Sequence, residues 1–197
     1  LYTQKNIGHR ALKKRYAELN TETAETLVQS PETAQALGQS DPGAAALARY
    51  VQRSGCYPVY DHTAVTYFPL GEDKFREMLI QLEQAKRFIF LEYFIIAEGS
   101  MWSDVLDILT EKAAAGVEVR VIYDGVGSAP TLPSDYPQQL AQKGIRCQEF
   151  QPFRPLLSIH QNNRDHRKIC VIDGVTGFVS GLNLADEYVD RKERFGY

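Results

Sequence analysis

The chain has 197 residues and a net charge of −3, with 44% apolar and 24% charged residues. That is the make-up of a globular protein able to bury a core, and its acidic balance excludes a general polyanion binder while leaving room for a local basic patch. The cysteines Cys56, Cys147 and Cys170 fit no zinc pattern and are expected to stay reduced.

Residues 1–55 are polar, rich in Ala, Thr and Gln, and poor in large apolar side chains, so they are expected to form a helical accessory arm. A basic cluster of Lys5, Arg10, Lys13, Lys14 and Arg15 opens it, and Ser40-Asp41-Pro42 reads as the start of a helix over 43–53. Such a cluster suits either a solvated helix face or the cytoplasmic face of a membrane, where each basic residue gains about 1 kcal/mol from anionic lipid. The character changes after this arm, and a second domain is expected over 56–197. A short strand is expected at 65–69, then a helix over 72–85 with Phe75, Leu79 and Leu82 on its apolar stripe. The continuous apolar run 88–96 reads as a strand covered on both faces, too short and too charged to cross a bilayer. No signal peptide opens the chain, which is expected to be soluble as it stands.

A helix over 101–115 ends at Gly116. A strand over 117–123 follows, with Val117, Val119, Val121 and Tyr123 on one face. A helix over 137–143 stops at Gly144, and 145–150 is a further strand. Residues 168–172 and 177–180 pair as a hairpin around Asp173-Gly174. Alternating strands and helices predict an α/β fold with a mixed, mostly parallel sheet flanked by helices.

The chemistry concentrates in HRKICVIDGVTGFVSGLN, where His166, Lys168 and Asp173 read His-x-Lys-x-x-x-x-Asp and Asn183 follows. On an extended segment, residues two apart point to one side, so His166 and Lys168 face the same pocket. A neutral imidazole can attack phosphorus, a lysine ammonium can hold phosphoryl oxygens, and an amide such as that of Asn183 can donate to them. Asp173 stands at odd spacing from Lys168 and is expected to fix the turn. Arg164 shares the parity of His166 and is a further candidate for phosphate, whereas Arg167 is expected to form a salt bridge. Glu92 interrupts the 88–96 run and needs a partner, either as a pocket residue beside the motif's Arg or Lys or as a structural ion pair. Asp124, opening Gly125-Val126-Gly127-Ser128, reads as a turn residue. Asp186 and Glu187 either orient an imidazole or start a helix. His9, His62 and His160 have no partner pattern.

The stretch NNRDHRKICVIDGVTGFVSGLNLADEY resembles the phospholipase D superfamily signature, and specifically the first such motif of bacterial cardiolipin synthases. LGEDKFREMLIQLEQAKRFIFLEYFII, GVEVRVIYDGVGS and the final RFGY agree, so the resemblance spans roughly residues 57–197. It departs at Ser180-Gly181, where relatives carry Gly-Gly or Gly-Ser, a difference that matters if that backbone needs a positive φ. The resemblance implies a phospholipase D-type half-domain whose site is His166, Lys168 and Asp173, with Asn183 and Arg164 towards phosphate and Glu92 and Ser180 in support. It implies transfer of a phosphatidyl group through a phosphohistidine, giving cardiolipin and glycerol from two phosphatidylglycerols. No metal or organic cofactor is implied. The partners implied are an anionic phospholipid, the cytoplasmic membrane surface, and a second motif, supplied by the same chain or a homodimer; no nucleic acid is expected. With one motif present, the chain is expected to be the amino-terminal catalytic half, weak or inactive by itself. A dimeric nuclease or phosphodiesterase of the superfamily, and a non-catalytic phosphate-binding module, are the rival readings.

Overall fold

The computed structural model describes residues 7–152 and 164–193, with side chains from residue 13 onward. Lys5, His160 and the RFGY end, and the side chains of His9 and Arg10, therefore lie outside the described residues. The chain divides after Thr66 into two compact units.

The first unit contains α1 (Ile7–Thr26), α2 (Pro31–Ser40) and α3 (Pro42–Gly55). Proline at the first position and a capping side chain start both later helices: Ser30 Oγ accepts from Thr33 N at 3.1 Å, and Asp41 Oδ1 from Ala44 N at 2.9 Å. The unit runs past α3 because the following segment is bonded back onto it. Val59 N donates to Gln29 Oε1 at 2.8 Å, and Thr33 Oγ1 donates to Asp61 at 3.0 Å. Large apolar residues such as Leu47 and Tyr50 are exposed, while Ala45 is buried.

The second unit holds a five-stranded sheet of β1 (Phe88–Tyr93), β2 (Glu118–Asp124), β3 (Arg146–Phe150), β4 (Lys168–Ile172) and β5 (Thr176–Val179), in the order β3-β2-β1-β4-β5. Strands β1, β2 and β3 are mutually parallel, β4 runs antiparallel to β1, and β5 antiparallel to β4. Four of the five strands thus point one way, and the sheet is mixed. Helices α4 (Gly71–Glu83), α5 (Ser100–Ala114) and α6 (Tyr136–Gln142) accompany it.

Alternation along the strands sends Ile89, Leu91 and Tyr93, with Val119, Val121 and Tyr123, into one core. That core also takes Phe75, Met78 and Leu82 of α4 and Met101, Trp102, Val105 and Leu109 of α5. The opposite side of β1, with Phe88, Phe90 and Glu92, is only half-buried. The apolar run 88–96 is therefore not covered equally on both faces. It also ends as a strand at Tyr93, with Ile96 returning to the sheet through a single parallel bridge to Leu184.

The strand expected at 65–69 does not form. That segment finds no ladder partner among the described residues, and Val65 and Tyr67 are 87% and 85% exposed. β-propensity without a neighbouring edge yields extended chain, not sheet. The hairpin forms as expected. Asp173 and Gly174 take φ of 56° and 73°, and Val175 N bonds Ile172 O at 3.0 Å.

Candidate active site

Because β4 is antiparallel to β1, its first residue, Lys168, lies opposite Tyr93 at the carboxyl end of β1. Ligands of such sheets gather at that end of the parallel strands. The chain turns out of β1 at Phe94, whose ring becomes the shared floor of the motif. The His166 ring lies against it with centroids 4.7 Å apart, and Lys168 Nζ sits 5.2 Å from its centroid. The two motif side chains therefore converge as their spacing predicts. They differ in setting, however, since His166 is exposed and Lys168 is only 4% exposed. Lys168 Nζ donates to His166 O at 3.0 Å, and burial lowers its pKa, opposed by the nearby Asp165 carboxylate.

Phe94 is held in turn by the loop after β2. A side chain at Gly127 would overlap the Phe94 carbonyl, and Ser128 Oγ accepts from Ile96 N at 3.1 Å and donates to Phe94 O at 3.3 Å. The small residues of Gly125-Val126-Gly127-Ser128 thus serve close packing beneath the site.

Asp124, at the end of β2, does more than make a turn. It is fully buried, and its Oδ1 accepts from Val126 N and Gly127 N, each at 2.9 Å, and from Arg164 at 3.2 Å. Its Oδ2 accepts from Asp165 N at 2.9 Å, one residue before His166. Arg164, expected to reach phosphate, has its guanidinium engaged by Asp124 and by Gln151 at 3.4 Å. Fixing the entry to the motif is the role this geometry gives it.

A family model described as cardiolipin synthase, PLD-like domain, matches residues 78–193, which include every element of the site just described. The chain belongs to this family. A Streptococcus mutans protein, described only as uncharacterized, is 47% identical over the whole chain and 43% of its own length. The cardiolipin synthase of Geobacillus kaustophilus is 40% identical over 152 residues, 77% of this chain and 30% of the relative. The chain thus spans less than half the length of these relatives. Among solved structures, the phospholipase D family member Nuc from Salmonella typhimurium is 19% identical with a TM-score of 0.44, covering 59% of this chain and 69% of its own.

Within this cardiolipin synthase-type domain, Asp173 proves to be no part of the pocket. It lies beyond Ile172 at the far end of β4 from Lys168, where its carboxylate accepts from the backbone N–H groups of Lys86, Arg87 and Phe88 at 2.8–2.9 Å. Those bonds hold its carboxyl below the usual range, the Phe88 bond foremost. It braces the hairpin tip against the start of β1, as its odd spacing indicates.

Asn183 is 4% exposed, and its amide serves the fold: Oδ1 accepts from Ile95 N at 3.0 Å and Nδ2 donates to Tyr188 at 2.8 Å. An amide nitrogen carries two protons, so Tyr188 takes one donor of the pair expected for phosphate. Ser180 is absent from the positive-φ residues, so its Cβ meets no backbone strain. Among the described residues Asp186 orients no imidazole. It caps α5 by accepting from Ser100 N at 3.1 Å and Met101 N at 2.7 Å.

Glu92 finds the motif's arginine. Arg167 Nε lies 2.7 Å from Glu92 and 2.9 Å from Asp165, so both carboxylates share one guanidinium beside His166. Burial and the hydrogen bond and charge of Asp165 outweigh that guanidinium and push the Glu92 carboxyl up to about 7. Burial also pushes Asp165 upward, but hydrogen bonds from Glu92 and Arg167 win and leave it below its ordinary value. Between the ordinary carboxylate range and about 7, unfolded Glu92 is ionised while folded Glu92 keeps its proton. The unfolded state binds fewer protons there, so Glu92 stabilises the fold least above that window and most below it. Glu92→Gln is expected to remove this fall from a thermal-unfolding profile recorded between pH 4.5 and 7.5. An unchanged profile would contradict the assignment.

Phe94, Asp165 and the gripping role of Asp124 were not evident from sequence. The available signals were an aromatic one residue past a strand and an acid directly before the motif histidine.

Proposed function

We propose that this domain supplies one His-x-Lys half of an active site that transfers a phosphatidyl group between two phosphatidylglycerol molecules, giving cardiolipin and glycerol. The observation that supports the reading is the convergence of His166 and the buried Lys168 on Phe94 at the carboxyl end of β1.

In the proposed reaction one motif histidine attacks phosphorus through a neutral ring nitrogen, and the bond from phosphorus to the head-group glycerol breaks. The other motif histidine gives that alcohol its proton. A hydroxyl of the second phosphatidylglycerol then loses a proton to the same base and displaces the phosphohistidine. Lys168 holds the phosphoryl oxygens as their charge grows. His166 occupies one of the two histidine positions, and the second comes from elsewhere in the full-length protein or from another copy. The partners proposed are anionic phospholipid and the membrane surface that presents it. No helix among the described residues is long and apolar enough to cross a membrane. No metal or organic cofactor enters a step.

The test is to incubate the full-length protein with phosphatidylglycerol labelled in its head-group glycerol. Free glycerol and cardiolipin should appear in equal amounts. Cleavage of DNA phosphodiester bonds without cardiolipin formation would overturn the reading in favour of a nuclease.

A further inference from the structure

Lys74 is out of place by ordinary physical chemistry. It lies in the first turns of α4, where the helix dipole disfavours a cation, and it is only 6% exposed. Buried lysines are nearly always paired with carboxylates. Among the described residues no carboxylate forms an ion pair with Lys74. Its Nζ donates to Ser180 Oγ at 3.3 Å and lies 5.9 Å from the ring centroids of both Tyr93 and Phe178. Burial lowers its pKa, offset in part by Cys170. A hydroxyl and two aromatic faces are modest compensation for a desolvated ammonium.

Its surroundings tie it to the motif. Tyr93 is the residue opposite Lys168 across β1 and β4, and Phe178 is opposite Cys170 across β4 and β5. Tyr93, Lys168, Cys170 and Phe178 are all buried, and the alternation of the strands places them on one sheet face. Ser180 closes the link: its N–H donates to Lys168 O at 3.3 Å while its Oγ also accepts from Leu182 N at 3.2 Å. The chain Lys74–Ser180–Lys168 therefore runs from the helix, through the end of the hairpin, to the motif lysine.

We propose that Lys74 is a positioning residue of the phosphate site, clamping Ser180 and through it the backbone of Lys168, and adding a buried positive charge on the same sheet face. This rests on the reading of Lys168 as the phosphate-holding cation. It also gives Ser180 a function, since a glycine there offers Lys74 no oxygen.

A structural lysine and a positioning lysine differ in what their removal does to stability. Desolvating an ammonium that has no carboxylate partner costs free energy that an apolar side chain of similar size does not. Lys74→Met should therefore raise the thermal midpoint of the 197-residue chain, by about a few degrees, while weakening phosphate binding. Binding is read from the His166 ring resonances during titration with inorganic phosphate, with the other three of the four histidines as internal controls. Phosphate affinity should fall roughly tenfold in Lys74→Met, and part of that loss should appear in Ser180→Ala, which keeps the charge and removes the clamp. Lys168→Met is the reference that abolishes binding. If Lys74→Met binds phosphate as the parent does while Lys168→Met does not, the positioning role falls and the phosphate reading stands. If Lys168→Met also leaves binding unchanged, the phosphate reading itself fails, and the role of Lys74 with it. A lowered midpoint in Lys74→Met together with unchanged phosphate affinity would mark a purely structural lysine and likewise overturn the proposal.

Discussion

His166→Ala in the full-length protein is expected to reduce cardiolipin formation by roughly 10³-fold or more, the range lost when a nucleophile or an essential proton carrier is deleted. The substitution should leave the fold alone. His166 is exposed, precedes β4 rather than lying within it, and its ring contact in the described structure is with Phe94. An unaltered thermal midpoint beside lost turnover would therefore locate the defect in chemistry. Lys168→Met should be nearly as damaging to turnover, because it removes the charge proposed to meet the phosphoryl oxygens. Undiminished cardiolipin synthesis by His166→Ala would remove the histidine from the mechanism altogether.

The largest effect on stability is expected from Asp124→Ala. That carboxylate is fully buried and receives the N–H groups of Val126, Gly127 and Asp165 together with the Arg164 guanidinium. Truncation strands these donors at once and takes the fully buried carboxylate away from the half-buried Arg164 guanidinium, at a cost of about 3–5 kcal/mol. Chemical denaturation should register the loss as a lower midpoint with an unchanged slope. Asp124→Asn is an informative companion, because an amide has only one acceptor oxygen. Either orientation turns its NH2 group towards backbone N–H donors, on the Asp165 side or on the Val126 and Gly127 side. Asparagine should therefore rescue only part of the stability. Recovery to the parent value would show that the Asp124 charge is dispensable.

The elements with strong periodicity were legible in the chain. Val117, Val119, Val121 and Tyr123 alternate into the core as read, and Gly116 and Gly144 end their helices with positive φ. Local signals of this kind act over a few residues and are decided by backbone sterics. The strand expected at 65–69 failed because β-propensity needs a partner edge, and the partner is a tertiary fact. Arg164 shares the parity of His166, yet parity says which side a residue leaves the chain, not which carboxylate waits there. Asp124 is 40 residues away in sequence and settles the matter.

The His166–Lys168 pair itself was readable without coordinates. Side chains two apart on an extended segment share a face for reasons of backbone geometry alone, and the odd spacing of Asp173 already removed it from that face. What surrounds the pair was not readable, because each contact joins segments distant in the chain. Phe94 lies beneath the two motif side chains, Asp124 grips the residue before His166, and Arg167 bridges Glu92 and Asp165. Lys74 reaches Ser180 across 106 positions. Residue types and short spacings specify which chemistry the chain can perform. Sheet order and register decide which buried charges stand beside that chemistry, because only the folded chain brings the strand ends of β1, β2 and β4 together.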